Sequence, residues 1–222
     1  MTPPAALLLD LDGVLVDTET PALDALAATF ADYGVVMRLL DVDAQFRGRN
    51  LDHCADLLGT LFAGPVPLTF VDDARAAARS RPAAAAEPGA RAILGCGICL
   101  RVVTNSTVAQ ALRTLAGAGL ADLVDRDAII GADLVARPKP DPAIYHAAID
   151  ALAVPANACL AVEDSPLGLA AAAAAGTRTV GYAPNPAWAR VLGRRGHKTV
   201  SSLDIVKGMC APTTPKENHV IA

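Results

Sequence analysis

Hydrophobic and polar positions along this chain fall into short apolar runs that alternate with segments of helical period. The first run, Leu7-Leu8-Leu9, ends at Asp10-Leu11-Asp12-Gly13, a pattern that predicts a buried strand stopping at the aspartate pair. Alternation along a strand lets Asp10 and Asp12 point to one side at its C-terminal end. Thr18 or Thr20 can cap a helix with Pro21 in its first turn, and Leu23, Leu26, Ala27 and Phe30 follow helical spacing. From there to about Ala85 strand signals are scarce. Helical runs at Leu51 to Leu61 and Asp72 to Arg81 are separated by Gly64-Pro65-Val66-Pro67, so residues 16–85 read as a helical insert between the first two strands.

Beyond the turn at Pro88-Gly89 the pattern changes. Ile98 to Val103 is a β-rich run closed by Thr104-Asn105-Ser106, and Val108 to Ala116 reads as helix. Ile129-Ile130-Gly131 is a short strand, Arg137 to Pro142 a turn-rich stretch around Lys139, and Ala143 to Leu152 a helix. Ala158 to Val162 is a second buried strand, ending in Glu163-Asp164-Ser165. The next helix has Ser165 at its cap, Pro166 at its first position and Gly176 past its end. Thr179 to Tyr182 is the last short strand, and residues 207–222 read as a loosely ordered tail. Strands alternating with helices predict an α/β fold with a doubly wound parallel sheet, residues 1–15 plus 86–206 forming the main domain.

Composition narrows the function classes. With 53% hydrophobic and 19% charged residues the chain can bury a substantial core, and a net charge of −4 with scattered Lys and Arg gives no nucleic-acid footprint. Asp10 and Asp12 interrupt the most apolar N-terminal segment, and Met1 to Leu9 lacks the pattern of a secretory leader. A cytoplasmic monomer acting on a small molecule, with no nucleic-acid or membrane partner, is expected. Cys96 and Cys99 form a lone CxxC without a second pair or a clustered His, which favours small buried or turn residues over a zinc or redox role.

Four polar clusters fall where one sheet edge is expected: Asp10/Asp12, Thr104/Asn105/Ser106, Lys139 and Glu163/Asp164. Taken singly, Thr104 to Ser106 could be a helix cap, Lys139 a solvated turn lysine, and Glu163-Asp164 a complement to a helix dipole. Together they suit phosphoryl transfer. Carboxylates from both ends of the chain can hold Mg²⁺ with substrate phosphate, and a carboxylate can attack phosphorus. A hydroxyl, an amide and an ammonium can neutralise the transferring oxygens, and a second carboxylate can serve as acid and base.

These residues resemble the haloacid dehalogenase-like hydrolase superfamily. Its four motifs match Asp10 to Glu19, Val103-Thr104-Asn105-Ser106, Lys139-Pro140-Asp141-Pro142 and Val162 to Gly168, and the resemblance reaches to about residue 205. It implies a Rossmann-like core with an inserted helical cap over residues 16–85. It also implies Asp10 as nucleophile, Asp12 as general acid/base, and Thr104 and Asn105 holding the phosphoryl group with Lys139 beside it. Asp10, the backbone carbonyl of Asp12, Glu163 and Asp164 would surround Mg²⁺. Within the superfamily the chain is similar to the β-phosphoglucomutase and phosphoglycolate phosphatase branch. A mutase would carry a His where Ala22 stands, so net hydrolysis is expected. Phe46-Arg47-Gly48-Arg49-Asn50 resembles the substrate-contacting loop of the cap, which favours a substrate role for Arg47 and Arg49 over one as exposed helix-end charges. With Thr18 and Ser106 these complete the expected substrate contacts, for a sugar or sugar-acid phosphate such as 6-phosphogluconate. A phosphomutase, a phosphoglycolate phosphatase and a catalytically idle binding protein are the alternatives.

Overall fold

The computed structural model describes residues 2–47, 51–80 and 85–210. Its centre is β1 (Ala6–Leu9), every residue of which is buried. Leu7 and Leu9 face one apolar cluster while Ala6 and Leu8 face another, which is why the run is apolar at consecutive positions rather than at alternate ones. The chain then turns through residues 10–15, where Gly13 adopts φ +77° and a Cβ at that position would overlap the Asp164 carboxylate.

Two short strands, β2 (Val16–Asp17) and β3 (Ala85–Ala86), pair antiparallel, with Val16 opposite Ala86 and Asp17 opposite Ala85. Between them lie α1 (Glu19–Asp32), α2 (Leu39–Phe46), α3 (Ala55–Leu61) and α4 (Phe70–Arg79). These helices share an apolar cluster of their own, built on Leu23, Leu26, Phe30, Leu58 and Phe70. All four phenylalanines of the chain meet there: the Phe30 ring centroid lies 4.8 Å from Phe70 and 5.4 Å from Phe46, and Phe62 lies 5.0 Å from Phe70.

The rest of the chain is α5 (Ala90–Leu94), β4 (Cys99–Thr104), α6 (Val108–Gly117), β5 (Ile129–Gly131), α7 (Ala143–Leu152), β6 (Cys159–Glu163), α8 (Pro166–Ala174), β7 (Arg178–Tyr182), α9 (Pro186–Arg194), β8 (Thr199–Val200) and α10 (Leu203–Cys210). The six main strands form one parallel sheet in the order β5-β4-β1-β6-β7-β8. The chain passes from β1 to β4 and β5 on one side and then crosses back to β6 and β7 on the other, so the C-terminal end of β1 is the crevice where such sheets bind ligands. Helices α5, α6 and α10 cover one face of the sheet, and α7 and α8 cover the other.

Several elements depart from the sequence reading for local reasons. Thr18 stands at the N-terminus of α1 but makes no capping bond. The cap of α6 is Thr107, in a reciprocal pair with Gln110, so Thr104 and Ser106 are not needed as caps. Ser165 caps α8 as expected, accepting from Gly168 N at 3.0 Å. Helices α2 and α9 and strand β8 escaped the sequence pattern. The ordered chain also continues past Lys207: α10 runs to Cys210, with Val206 buried and Met209 and Cys210 packed on the core. Among the described residues no helix is long and apolar enough to cross a membrane.

Phe30 is fully buried at the centre of the helical layer. Phe30→Ala is expected to cost roughly 3–5 kcal/mol, read from denaturant unfolding. A loss below about 1 kcal/mol would contradict this packing role.

Candidate active site

The parallel register builds the site directly. Leu9 stands opposite Val162 of β6 and Val102 of β4, so the next residue, Asp10, falls beside Glu163 and Val103. The Asp10 amide donates to Val162 O at 3.0 Å, extending the ladder by one bond. Asp10 Oδ1 accepts from its own neighbour, Leu11 N, at 2.8 Å.

Lys139 reaches this point from the loop before α7. Its ammonium donates to Asp10 Oδ1 at 2.9 Å and to Val103 O at 2.7 Å, and lies 2.6 Å from Glu163 Oε1. Three partners match the three donors of an ammonium. The side chain is only 4% exposed, which rules out a solvated turn lysine. Asn105 fixes the loop that carries it: its Nδ2 donates to Lys139 O at 3.2 Å and its Oδ1 accepts from Lys139 N at 2.9 Å. The Asn105 amide is thus engaged with backbone in this structure. Tyr145, fully buried on α7, donates to Glu163 Oε1, and Lys139 Nζ lies 5.6 Å from its ring centre. Its place on the apolar face of a helix reads in sequence as core, so the only usable signal was its closeness to Lys139.

Asp12 is held by hydroxyls of the turn after β4 and of the segment before α1. Its Oδ2 accepts from Ser106 Oγ at 3.3 Å and weakly from Thr104 Oγ1 at 3.4 Å, and its carboxylate also bonds the Thr18 side chain. The Thr18 hydroxyl is therefore engaged with Asp12 instead of capping α1. Thr104 Oγ1 in turn accepts from Ser106 N at 3.0 Å, which shapes the turn after β4.

Burial and crowding set the protonation. Burial first, then the neighbouring Glu163, pushes Asp10 up to about 7, against the pull of Lys139. Burial followed by Asp10 raises Asp12, and burial with Asp10, Glu19 and Glu163 holds Asp164 well above the usual carboxylate range. Burial disfavours the Lys139 ammonium, but Asp10 and Glu163 together outweigh it and raise its pKa. Around the Lys139 ammonium therefore stand Asp10, Glu163 and Asp164, with Asp12 next to Asp10.

Three of them converge. Oxygens of Asp10, Glu163 and Asp164 lie within 4.8 Å of one another, and Glu163 Oε2 is buried without a hydrogen-bond partner among the described residues. That oxygen packs against Gly168 at the start of α8, where a Cβ would collide with it. An all-oxygen donor set with an unsatisfied carboxylate oxygen fits a hard divalent cation. The Asp12 carboxylate is not part of this convergence.

Arg47, at the C-terminus of α2, lines a cleft of about 490 Å³ with Gly13, Asp17, Glu87, Asp164 and Trp188. It is ion-paired with Asp43 at 2.6 Å. Gly48 and Arg49 lie outside the described residues. Sequence reasoning passed over Glu87, Asn185 and Trp188, which belong to no motif but line this cleft, and Asp43, which bonds Arg47 and Asn185 beside it.

A hydrolase family model, haloacid dehalogenase-like hydrolase, matches residues 4–176. A phosphoglycolate phosphatase of Rhodospirillum rubrum is 36% identical over 206 residues, covering 82% of this chain and 83% of the relative. Among solved structures, a HAD family hydrolase from Deinococcus radiodurans with bound phosphate and sodium superposes with a TM-score of 0.81 at 27% identity, over 96% of this chain and 100% of the other. A variant of CbbY from Rhodobacter sphaeroides in complex with xylulose-(1,5)bisphosphate gives a TM-score of 0.57 at 26% identity, over 90% and 94%. The chain belongs to the haloacid dehalogenase-like hydrolase family. Its enzyme class is phosphoric monoester hydrolase.

The raised carboxylates carry a linkage with a definite sign. Asp10 moves from 3.8 to about 7, so between those values the folded state holds more protons than the unfolded one. With divalent ions chelated, this group's contribution to stability is full below the lower value and is lost as pH rises through the upper one. Added Mg²⁺ is expected to raise the melting temperature more at about pH 8 than at about pH 6. An equal or smaller gain at the higher pH would contradict a cation held by these carboxylates.

Proposed function

We propose that the chain is a cytoplasmic, Mg²⁺-dependent phosphatase that hydrolyses a small phosphorylated sugar or sugar acid, of the 6-phosphogluconate type, through an aspartyl-phosphate on Asp10. The observation that carries this reading is the buried Asp10–Lys139–Glu163 arrangement with its surplus of negative charge. Asp10, Glu163 and Asp164 would hold Mg²⁺, which supplies charge neutralisation for the incoming phosphate.

Lys139 and Leu11 N fix Asp10 Oδ1, which orients the carboxylate and leaves Oδ2 to attack phosphorus. Asp12, with its pKa raised by burial and by Asp10, gives its proton to the leaving alkoxide. As a carboxylate it then takes a proton from the water that attacks the aspartyl-phosphate, releasing inorganic phosphate and restoring Asp10. Thr104 and Ser106 hold Asp12 for both steps. The helical layer acts as a cap that excludes water from the first step.

Two observations support a sugar-sized substrate: the cleft of about 490 Å³, and the sugar bisphosphate in the complex of CbbY. Phosphoglycolate is the second reading, favoured by the identity of 36% to the Rhodospirillum rubrum phosphatase. A phosphomutase is disfavoured by Ala22, which has no titratable side chain.

Phosphate release from a panel of sugar, sugar-acid and two-carbon phosphates tests the proposal, run with Mg²⁺ and with chelator. Release is expected only with the metal and mainly from sugar or sugar-acid phosphates. Asp10→Asn should lower it roughly a thousandfold or more. Undiminished activity in that variant would overturn the nucleophile assignment, and isomerisation of sugar 1-phosphates without free phosphate would make the enzyme a mutase.

A further inference from the structure

One polar chain crosses from the helical layer to the core outside the motif residues. Asp43 on α2 is buried, and its two oxygens are divided between the two bodies. Oδ1 accepts from Arg47 Nε at 2.6 Å, one helical turn onward, and Oδ2 accepts from Asn185 Nδ2 at 2.8 Å. The Asn185 amide has a fixed orientation, because its Oδ1 accepts from Ala187 N at 2.8 Å and caps α9. Its Nδ2 must therefore face the layer. In the same first turn, Trp188 Nε1 donates to Asp164 O at 2.8 Å, so this turn also braces the loop that carries Asp164.

The stem between the two bodies is slight, since β2 and β3 have two residues each. A hydrogen bond to a buried carboxylate across that gap therefore bears on where α2 sits. Arg47, the C-cap of α2 and already oriented by Asp43, lines the cleft beside Gly13, Glu87 and Asp164 and brings it a charged group, where Leu40 of α2 brings only an apolar one.

We infer that Asn185 is a positioning residue: through Asp43 it docks α2 on the core and sets Arg47 over the cleft, where the guanidinium meets the part of the substrate beyond the phosphoryl group. The docking stands on the geometry alone; the contact with substrate rests on the phosphatase reading given above. Arg47 presents a planar donor with one edge committed to Asp43, which suits hydroxyl or carboxylate oxygens of a sugar or sugar acid. A minimal phosphomonoester such as para-nitrophenyl phosphate has no such groups and gains nothing from the docking.

The test uses the full chain and two exchanges. Asn185→Asp keeps the α9 cap acceptor but sets a second carboxylate against Asp43. Adding Asp43→Asn returns one amide and one carboxylate to the pair with their places exchanged, and the new amide oxygen still accepts from Arg47. Asn185→Asp is expected to speed hydrogen exchange in α2 but not in α6. It should also raise KM for the best sugar phosphate about tenfold, with turnover of para-nitrophenyl phosphate within about twofold of the parent. The double variant should return both the exchange and the KM most of the way.

Unchanged exchange in α2, an unchanged KM, or failure of the double variant to restore them would overturn the inference. An equal loss on both substrates would do the same, since it marks a merely structural residue. If the unmodified enzyme releases phosphate from no monoester, the phosphatase reading fails, and exchange in α2 still decides the docking.

Discussion

Lys139 is a buried ammonium held by Asp10, Glu163 and a backbone carbonyl, and the catalytic end of the sheet is arranged around it. One positive charge cannot balance Asp10, Asp12, Glu163 and Asp164, each crowded by the others or by burial. The remaining imbalance is what the site has available for chemistry. Burial first, and this imbalance second, raises Asp10 and Asp12 toward the protonated state, while Glu163 Oε2 has no hydrogen-bond partner among the described residues. Neighbouring groups serve this arrangement at one remove. Asn105 pins the backbone of Lys139, Tyr145 holds Glu163, and Gly13 and Gly168 leave room for the Asp164 and Glu163 carboxylates.

The sheet makes the arrangement inexpensive to build. Parallel register alone places Asp10 beside Glu163, because each follows the last apolar pair of its strand. The small-residue helix α8 then closes on the sheet, and its capped first turn brings Gly168 against the Glu163 carboxylate. The helical layer adds volume and side chains above this edge. Its own aromatic core allows it to vary without disturbing the carboxylates below, which is consistent with relatives of this family that share the fold and carry different substrates in their names.

Much of this was legible in the sequence, and the reason differs by element. The run at β1 and the capped helix α8 carry local signals: continuous apolarity, and Ser-Pro at the start with Gly past the end. The four motif clusters were legible because each sits at a strand end or in a loop whose order a doubly wound sheet brings together. Helix α2 was obscured because Leu39 and Leu40 are exposed, which breaks the apolar period, and β8 is two residues long. Lys207-Gly208 looked like the start of a tail although Val206 is fully buried. Tyr145, Asp43 and Asn185 were missed for a different reason: their roles come from contacts across 18 and 142 positions of chain, which no local pattern encodes.

The central claim is that Asp10 receives the phosphoryl group before water does. Rapid acid quenching during turnover, followed by peptide mass analysis, tests it most directly. The account predicts one phosphoryl group on the peptide that carries Asp10, rising within the first turnover and lost on chase. Steady phosphate release with that peptide unmodified, or with the label on a different residue, would contradict it.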